Sequence, residues 1–216
     1  MTTERRLRGR QAEAARNDGR ILDAALAVFI EDPGAPIARV ADRAGVGISA
    51  LYRRFPSKEA LLQHLGVEGL RSYIAAVERA LDDDGDPWSA FVEFMEHGVE
   101  AETSIMTVRF AGQYAPTPKL HQLRRDAYTA TEALVARSQA AGALRADVGP
   151  GDIPLLFEQL QGIRGNSHEE TLALRHRHLR LLLDALHLTT AAPLPGTAPT
   201  EPELSARYSP RRDDLT

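Results

Sequence analysis

Three consecutive residues of the sequence, Tyr52, Arg53 and Arg54, carry side chains that bind phosphate groups. A guanidinium group bonds to phosphates and to guanine edges, and a phenol hydroxyl donates to a phosphate oxygen. Shortly afterwards Ser57 provides an N-cap for a new helix, and Lys58 adds a positive charge beside that helix start, where phosphates also bind. These residue types in this order predict contact with a polyanion.

Two short helices and a tight turn position these side chains. Helical spacing of apolar residues predicts one helix over about 37–44 and another over about 48–55, joined by a turn at residues 45–47. This is the pattern of a helix-turn-helix, whose second helix enters the major groove. Leu51 and Phe55 are expected to face the core. The opposite side offers a DNA-facing set: Gly47, Ile48, Ser49, Ala50, Tyr52, Arg53 and Arg54.

The rest of the chain has apolar residues at helical spacing and no sustained alternation of strand type. We predict an all-α fold of about nine helices, with a three-helix helix-turn-helix head and a C-terminal helical body. The expected segments are a disordered Arg-rich arm (1–16), the head (17–60), the body (61–188) and a Pro-rich, mostly disordered tail (189–216).

The balance of charged residues differs between the head and the body. Residues 1–60 contain 11 Lys and Arg against 8 Asp and Glu, whereas residues 61–216 contain 15 against 22. A basic head on an acidic body indicates that only the head binds polyanions. The absence of cysteine excludes disulfides and thiolate metal sites. No apolar stretch is long enough to form a signal peptide or a membrane span, so we expect a cytoplasmic protein that does not enter a membrane.

The stretch VADRAGVGISALYRRFPSKEALL, residues 40–62, resembles the signature of tetracycline-repressor-like (TetR-family) bacterial transcription regulators. The resemblance extends over about residues 18–65. It implies a homodimer with one DNA-binding head per subunit, and a palindromic double-stranded DNA operator. It also implies that residues 61–188 form an effector-binding and dimerisation domain, in which a small molecule binds and releases the DNA.

The resemblance also assigns roles to positions in the head. Tyr52 and Lys58 match the usual phosphate contacts, and residues 47–50 with Arg53 and Arg54 match the operator-facing positions. One departure stands out, because many members begin the second helix with a Thr or Ser that contacts phosphate. Here that place is taken by Pro36-Ile37, and we expect a substitute contact from a nearby side chain. The candidate is Arg39.

An aromatic and methionine set in the body is the candidate lining of an effector pocket. At helical spacing, the same residues are also suited to an ordinary core. The set comprises Trp88, Phe91, Phe94, Met95, Met106, Phe110, Tyr114, Tyr128 and Phe157.

Leucines of the predicted eighth and ninth helices, about 153–163 and 169–188, form either the protomer's own core or a four-helix seam between two subunits. We predict a homodimer through these helices, because operators mirror the two-fold symmetry of the protein.

Other chemistry finds little support in the sequence. His176 and His178 lie on opposite sides of a helix and cannot chelate together, so no metal site is expected. No nucleophile–base pair or phosphate loop is visible, so we expect no enzyme and no cofactor besides an unknown small-molecule effector. The function we predict is a DNA-binding repressor that responds to a small molecule. The alternatives that stay open are a DNA-binding activator, a ligand-independent regulator and an enzyme on a helical scaffold.

Overall fold

In a computed structural model of the protein, the described residues are 2–101, 114–187 and 192–209, with side chains from residue 17 onward. This part of the chain contains nine α-helices and no strand; one isolated bridge joins Leu144 and His187. The helices are α1 (Thr2–Glu31), α2 (Ile37–Ala44), α3 (Ile48–Arg54), α4 (Lys58–Asp82), α5 (Pro87–Glu100), α6 (Pro118–Ala140), α7 (Asp152–Gly162), α8 (His168–Leu186) and α9 (Glu201–Arg207). The predicted all-α fold is confirmed.

The chain divides into an N-terminal unit, Met1–Leu65, and a C-terminal unit, Gly66–Thr216. In the N-terminal unit, α1 packs against α2 and α2 against α3. Apolar residues spaced three and four apart form its core, since that spacing places them on one face of each helix. The core includes Ile21, Ala25, Val28, Phe29, Val40, Leu51, Phe55 and Leu61, all at most 3% exposed.

The turn between α2 and α3 depends on one glycine. Gly45 closes α2 in the left-handed region, with φ of 65°, which a residue with a side chain rarely adopts. Arg20 of α1 donates to the carbonyl oxygen of Ala44 at 2.6 Å, which satisfies an acceptor at the end of α2. The bond ties α1 to this turn and so fixes the start of α3.

An aromatic cluster forms the core of the C-terminal unit. The rings of Phe94 and Phe157 meet edge to face with centroids 5.8 Å apart, and Tyr73 lies 5.5 Å from Phe94. Side-chain caps begin the surrounding helices: Asp86 accepts from Ser89 at the start of α5. The cluster joins α4, α5 and α7 to α8 through the buried leucines of α8.

Both terminal segments differ from the expectation. Helix α1 begins at Thr2, so residues 2–16 are helical rather than a disordered arm; Glu, Arg, Gln and Ala in this stretch are strong helix formers. The C-terminal tail holds helix α9, with Leu204 only 8% exposed. A capping box between Thr200 and Glu203 starts this helix.

The predicted sixth helix, about 105–114, lies outside the described residues except at Tyr114, which precedes α6. The predicted seventh, eighth and ninth helices correspond to α6, α7 and α8.

Candidate DNA-binding interface and effector cavity

Helix α3 has one buried side and one exposed side, as the sequence predicts. Leu51 and Phe55 are 0% and 3% exposed, whereas Ile48 and Tyr52 are 41% and 48% exposed. Gly47, Ser49 and Arg53 are exposed as well, and Ala50 is half-buried. The exposed side therefore combines small residues at the helix start with a phenol and a cation farther along, which suits the close approach of a duplex.

The two adjacent arginines of α3 have different surroundings. Arg54 donates from Nε to both carboxylate oxygens of Asp18, at 2.8 and 2.9 Å, and this hydrogen bond raises the pKa of Arg54. Within the described residues, by contrast, no hydrogen-bond or ion-pair partner lies in range of Arg53. Arg54 thus ties α3 to α1, while Arg53 is open to an external anion.

Lys58, at the first position of α4, turns back onto its own unit. Its Nζ donates to the carbonyl oxygens of Pro33 and Ala35, at 2.8 and 3.0 Å, and lies 4.9 Å from the centroid of the Phe29 ring. An ammonium group has three donors, so two internal bonds leave one for a phosphate. Ser57 caps the helix by accepting from the amide of Ala60 at 3.0 Å.

Arg39 of α2, the candidate for the substitute phosphate contact, lies close to two acidic side chains. Arg39 is 3.2 Å from the carboxylate of Asp32 and 3.7 Å from that of Glu31, with about half of its side chain exposed. Pro36 is the N-cap residue of α2 and has no side chain that could accept a capping hydrogen bond, and Ile37 is buried. A phosphate contact from Arg39 would therefore compete with two carboxylates.

The C-terminal unit contains a cavity of about 100 Å³ between α4, α6, α7 and α9. Tyrosine, phenylalanine, leucine and proline side chains dominate its walls, as in ligand sites generally. We call this candidate effector site the effector cavity. It is lined by Leu70, Tyr73, Arg124, Ala127, Tyr128, Thr131, Pro150, Pro154, Phe157, Glu201, Leu204, Ser205 and Tyr208.

Few polar groups line the effector cavity. Thr131 donates to the carbonyl of Ala127, so the hydroxyl of Tyr73, 2.7 Å away, is the donor to Thr131. Arg124 donates from Nη2 to the carbonyl oxygen of Tyr208 at 3.2 Å. Its Nη1 is buried, and the guanidinium group also lies within hydrogen-bonding reach of the hydroxyl of Tyr114.

The C-terminal segment, residues 192–209, forms one wall of the effector cavity and is fastened at both ends. At its start, Asp147 pairs with Arg145 at 2.6 Å and accepts from the amide of Leu194 at 2.8 Å. The Arg145 hydrogen bond holds the pKa of Asp147 far below its usual range. At its end, Arg207 lies 2.8 Å from the carboxylate of Glu158.

The aromatic residues proposed from the sequence as pocket lining occupy three different places. Tyr128 and Phe157 line the effector cavity. Tyr114 is buried; burial raises its pKa, and the positive charge of Arg124 and a hydrogen bond from it oppose that rise. The others belong to the core or lie outside the described residues. Trp88, Phe91, Phe94 and Met95 are core residues, and Met106 and Phe110 fall in the segment that is not described.

A second cavity, of about 420 Å³, lies between α4 and α5. Phe94 contributes to it, but its other walls include the charged residues Arg79, Asp82, Asp83 and Glu93. Because ligand sites are mostly apolar with few polar groups, the smaller cavity has the better composition for an organic effector.

Some of the leucines proposed as a dimer seam are buried within the protomer itself. Leu160 of α7 and the α8 residues Leu179 and Leu183 are at most 2% exposed within one subunit. Leu181 of α8 is 59% exposed, which leaves an apolar side chain on the outer face of that helix.

Metal-ligand groups and membrane spans are both missing from the part of the chain that the structure describes. No group of three or more His, Asp or Glu side chains there is arranged to hold a metal ion. Each described helix is too short or too polar to cross a membrane.

Sequence models of two protein families match the chain. The family described as bacterial regulatory proteins, tetR family, matches residues 21–65, and the SbtR-like transcriptional regulator C-terminal domain matches residues 86–188. No curated protein sequence matches significantly.

Solved structures of similar fold come from several bacteria. A TetR transcription regulatory protein from Mycobacterium vanbaalenii is 27% identical, with a TM-score of 0.57 over 82% of this chain and 98% of that one. The TetR regulator SCO0520 from Streptomyces coelicolor is 28% identical, with a TM-score of 0.55 over 80% and 99%. LfrR from Mycobacterium smegmatis, solved with proflavine, is 23% identical, with a TM-score of 0.55 over 78% and 96%.

Proposed function

Because the chain belongs to the TetR family of bacterial DNA-binding transcription regulators, we propose that it is a repressor that a small molecule releases from its operator. The observation that carries the DNA-binding part is the exposed side of α3. Ile48 and Tyr52 are 41% and 48% exposed, although an isolated head gains nothing from exposing a large apolar side chain there. Arg53 stands beside them without an internal partner among the described residues.

We assign the DNA contacts to three groups of residues. The base-facing group is Gly47, Ile48, Ser49, Ala50 and Arg53, because these residues lie at the start and along the exposed side of α3. The phosphate-facing group is Tyr52 and the third donor of Lys58. Arg54 and Arg39 remain secondary contacts, since each would first have to leave a carboxylate.

A homodimer through α7 and α8 is part of the proposal. The exposed Leu181 supports a contact on α8, since an apolar side chain gains free energy when a second subunit covers it. Two heads related by a two-fold axis would read half-sites roughly 34–36 Å apart, or one helical turn of DNA. A palindromic operator follows from that symmetry.

The effector cavity is the proposed site of control. Helix α4 begins at Lys58 in the N-terminal unit, and Leu70 and Tyr73 of the same helix line the effector cavity. An effector that binds one position of α4 better than another shifts the population toward that position. The proposed outcome is a spacing of the two heads that no longer matches successive major grooves.

A random-site selection followed by fluorescence anisotropy tests DNA recognition. We expect an enriched palindromic duplex that binds more tightly than a scrambled duplex of the same length. Tyr52→Phe should weaken its binding about 3- to 10-fold without a change in melting temperature, because it removes one exposed hydrogen-bond donor. Tyr128→Phe, a matched change in the effector cavity, should leave DNA affinity unchanged. A selection that enriches no duplex contradicts the proposed function.

A further inference from the structure

We propose that the effector cavity binds a small organic monocarboxylate, with the carboxylate on Arg124 and the apolar body against the surrounding rings. The inference rests on the proposed function only for the consequence of binding, which is the release of DNA. The site itself is argued from the charges, contacts and size of the cavity.

Arg124 is a cation without a counter-ion. The groups it bonds are neutral: the carbonyl of Tyr208, 3.2 Å from Nη2, and the hydroxyl of Tyr114. Among the described residues, no carboxylate lies within the 4.0 Å of an ion pair with Arg124. A positive charge in an apolar, partly enclosed space favours a bound anion.

The geometry of a guanidinium group makes a carboxylate the best match. Two parallel N–H groups of arginine bond the two oxygens of a carboxylate side by side. In the structure, the Tyr208 carbonyl accepts from Nη2 at 3.2 Å and so takes one of these two places. A carboxylate on Nη2 would replace this long bond to a neutral carbonyl with a charge-assisted bond.

The acidic residues around the effector cavity limit the ligand to a single negative charge. Glu201 lines the cavity and accepts from the hydroxyl of Ser205 at 2.7 Å. Glu158, nearby on α7, is held by Arg207 at 2.8 Å. A second carboxylate on the ligand would find no free cation among these residues and would meet the charge of Glu201.

The size of the effector cavity favours a short acid. A volume of about 100 Å³ lies below the range of drug-sized pockets. Leu70, Tyr128, Phe157 and Leu204 supply apolar contact for a short chain or a single ring. A six-carbon acid is therefore a suitable probe.

Calorimetric titration of the full chain compares four probes of equal chain length: hexanoate, hexan-1-ol, hexylamine and hexanedioate. We expect hexanoate to bind about 10- to 100-fold more tightly than hexan-1-ol, the factor that a charge-assisted hydrogen bond contributes. Hexylamine and hexanedioate should bind more weakly than hexanoate. Arg124→Gln should remove the preference for hexanoate while it keeps the affinity for hexan-1-ol, which shows an intact cavity.

Arg125→Gln is the matched control, because Arg125 is an exposed neighbour that bonds to Gln122. It should leave all four affinities unchanged. Equal binding of hexanoate and hexan-1-ol, a preference that survives Arg124→Gln, or the absence of hexanoate binding would each overturn the proposal.

Anisotropy with the selected duplex separates the two proposals. If hexanoate binds at Arg124 but leaves the protein on the duplex, the ligand site stands and the effector role fails. If the duplex is bound and no carboxylate binds, the DNA-binding function stands and the ligand site fails.

Discussion

Replacing Arg53 and Arg54 singly by Gln should separate DNA contact from fold stability. Arg54→Gln removes the ion pair with Asp18, whose partners are 51% and 25% exposed. Exposed pairs contribute about 0.2–1 kcal/mol, so the melting temperature should fall by no more than about 4 °C in a chain of this size. Arg53→Gln removes no internal contact among the described residues and should leave the melting temperature unchanged.

In DNA binding, by contrast, Arg53→Gln should have the larger effect of the two variants. Each phosphate contact contributes about 0.9 to the slope of log K against log salt concentration, so Arg53→Gln should reduce that slope by about 0.9 per subunit. If Arg53 reads a base instead, the variant should lose about 1–3 kcal/mol of discrimination at one base pair of each half-site. Arg54→Gln should change both quantities much less, because Arg54 would first have to leave Asp18.

The assay is fluorescence anisotropy with the selected duplex and single-mismatch duplexes at several salt concentrations, alongside thermal melting of each variant. An equal loss of salt slope in both variants would refute the reasoning, since it would show that Arg54 leaves Asp18 to bind DNA. A marked loss of stability in Arg53→Gln would also refute it.

Two further substitutions test the C-terminal unit. In Gly98→Ala the new methyl group would overlap the ring of Phe157. Overpacking costs about 1–3 kcal/mol, whereas the better helix propensity of alanine contributes about 1 kcal/mol. The free energy of unfolding should therefore fall by up to about 2 kcal/mol. Gly162→Ala meets no neighbour, and urea unfolding should show no loss there. Because the pKa of Asp147 is lowered, its carboxylate should stay ionised and keep its bond to the Leu194 amide well below the ordinary value near 3.9, and this bond should weaken only as the pH falls through the lowered pKa. The NMR shift of that amide should follow this titration in the parent, and a titration that persists in Asp147→Asn would contradict the assignment.

The buried and exposed sides of the head helices were predictable from sequence, because they depend on residues close together in the chain. Leu51 and Phe55 were expected in the core and Tyr52 at the surface, and burial confirms all three. The periodicity of a short helix determines these sides without knowledge of any distant contact.

The partners of the cations were not predictable, because they are distant in sequence. Arg54 pairs with a residue 36 positions away, and Lys58 bonds to carbonyls 23 and 25 positions away. Sequence spacing shows that Lys58 begins a helix, but not that the loop after α1 places Pro33 and Ala35 within its reach.

The effector cavity was only partly predictable, because core and cavity residues share the buried faces of the same helices. Phe91 and Met95 are 0% exposed in the core, whereas Tyr128 and Phe157 line the cavity, yet all four fit a helical apolar stripe. The C-terminal wall was missed because its proline content indicated disorder. Its Thr200–Glu203 capping box was the available signal of a helix.

Much of the positive charge of the head is neutralised by its own carboxylates before any DNA is bound. The pairs are Arg39 with Asp32, Arg43 with Glu31 and Arg54 with Asp18. An arginine that leaves a carboxylate for a phosphate exchanges one ion pair for another, so its net contribution to affinity is small. Among the described residues, the free energy of DNA binding should therefore come mainly from groups without a carboxylate partner, Arg53, Tyr52 and Lys58, and from close approach of the backbone at Gly47. This distribution places affinity and base reading on the same few residues, so substitutions on α3 should alter both together.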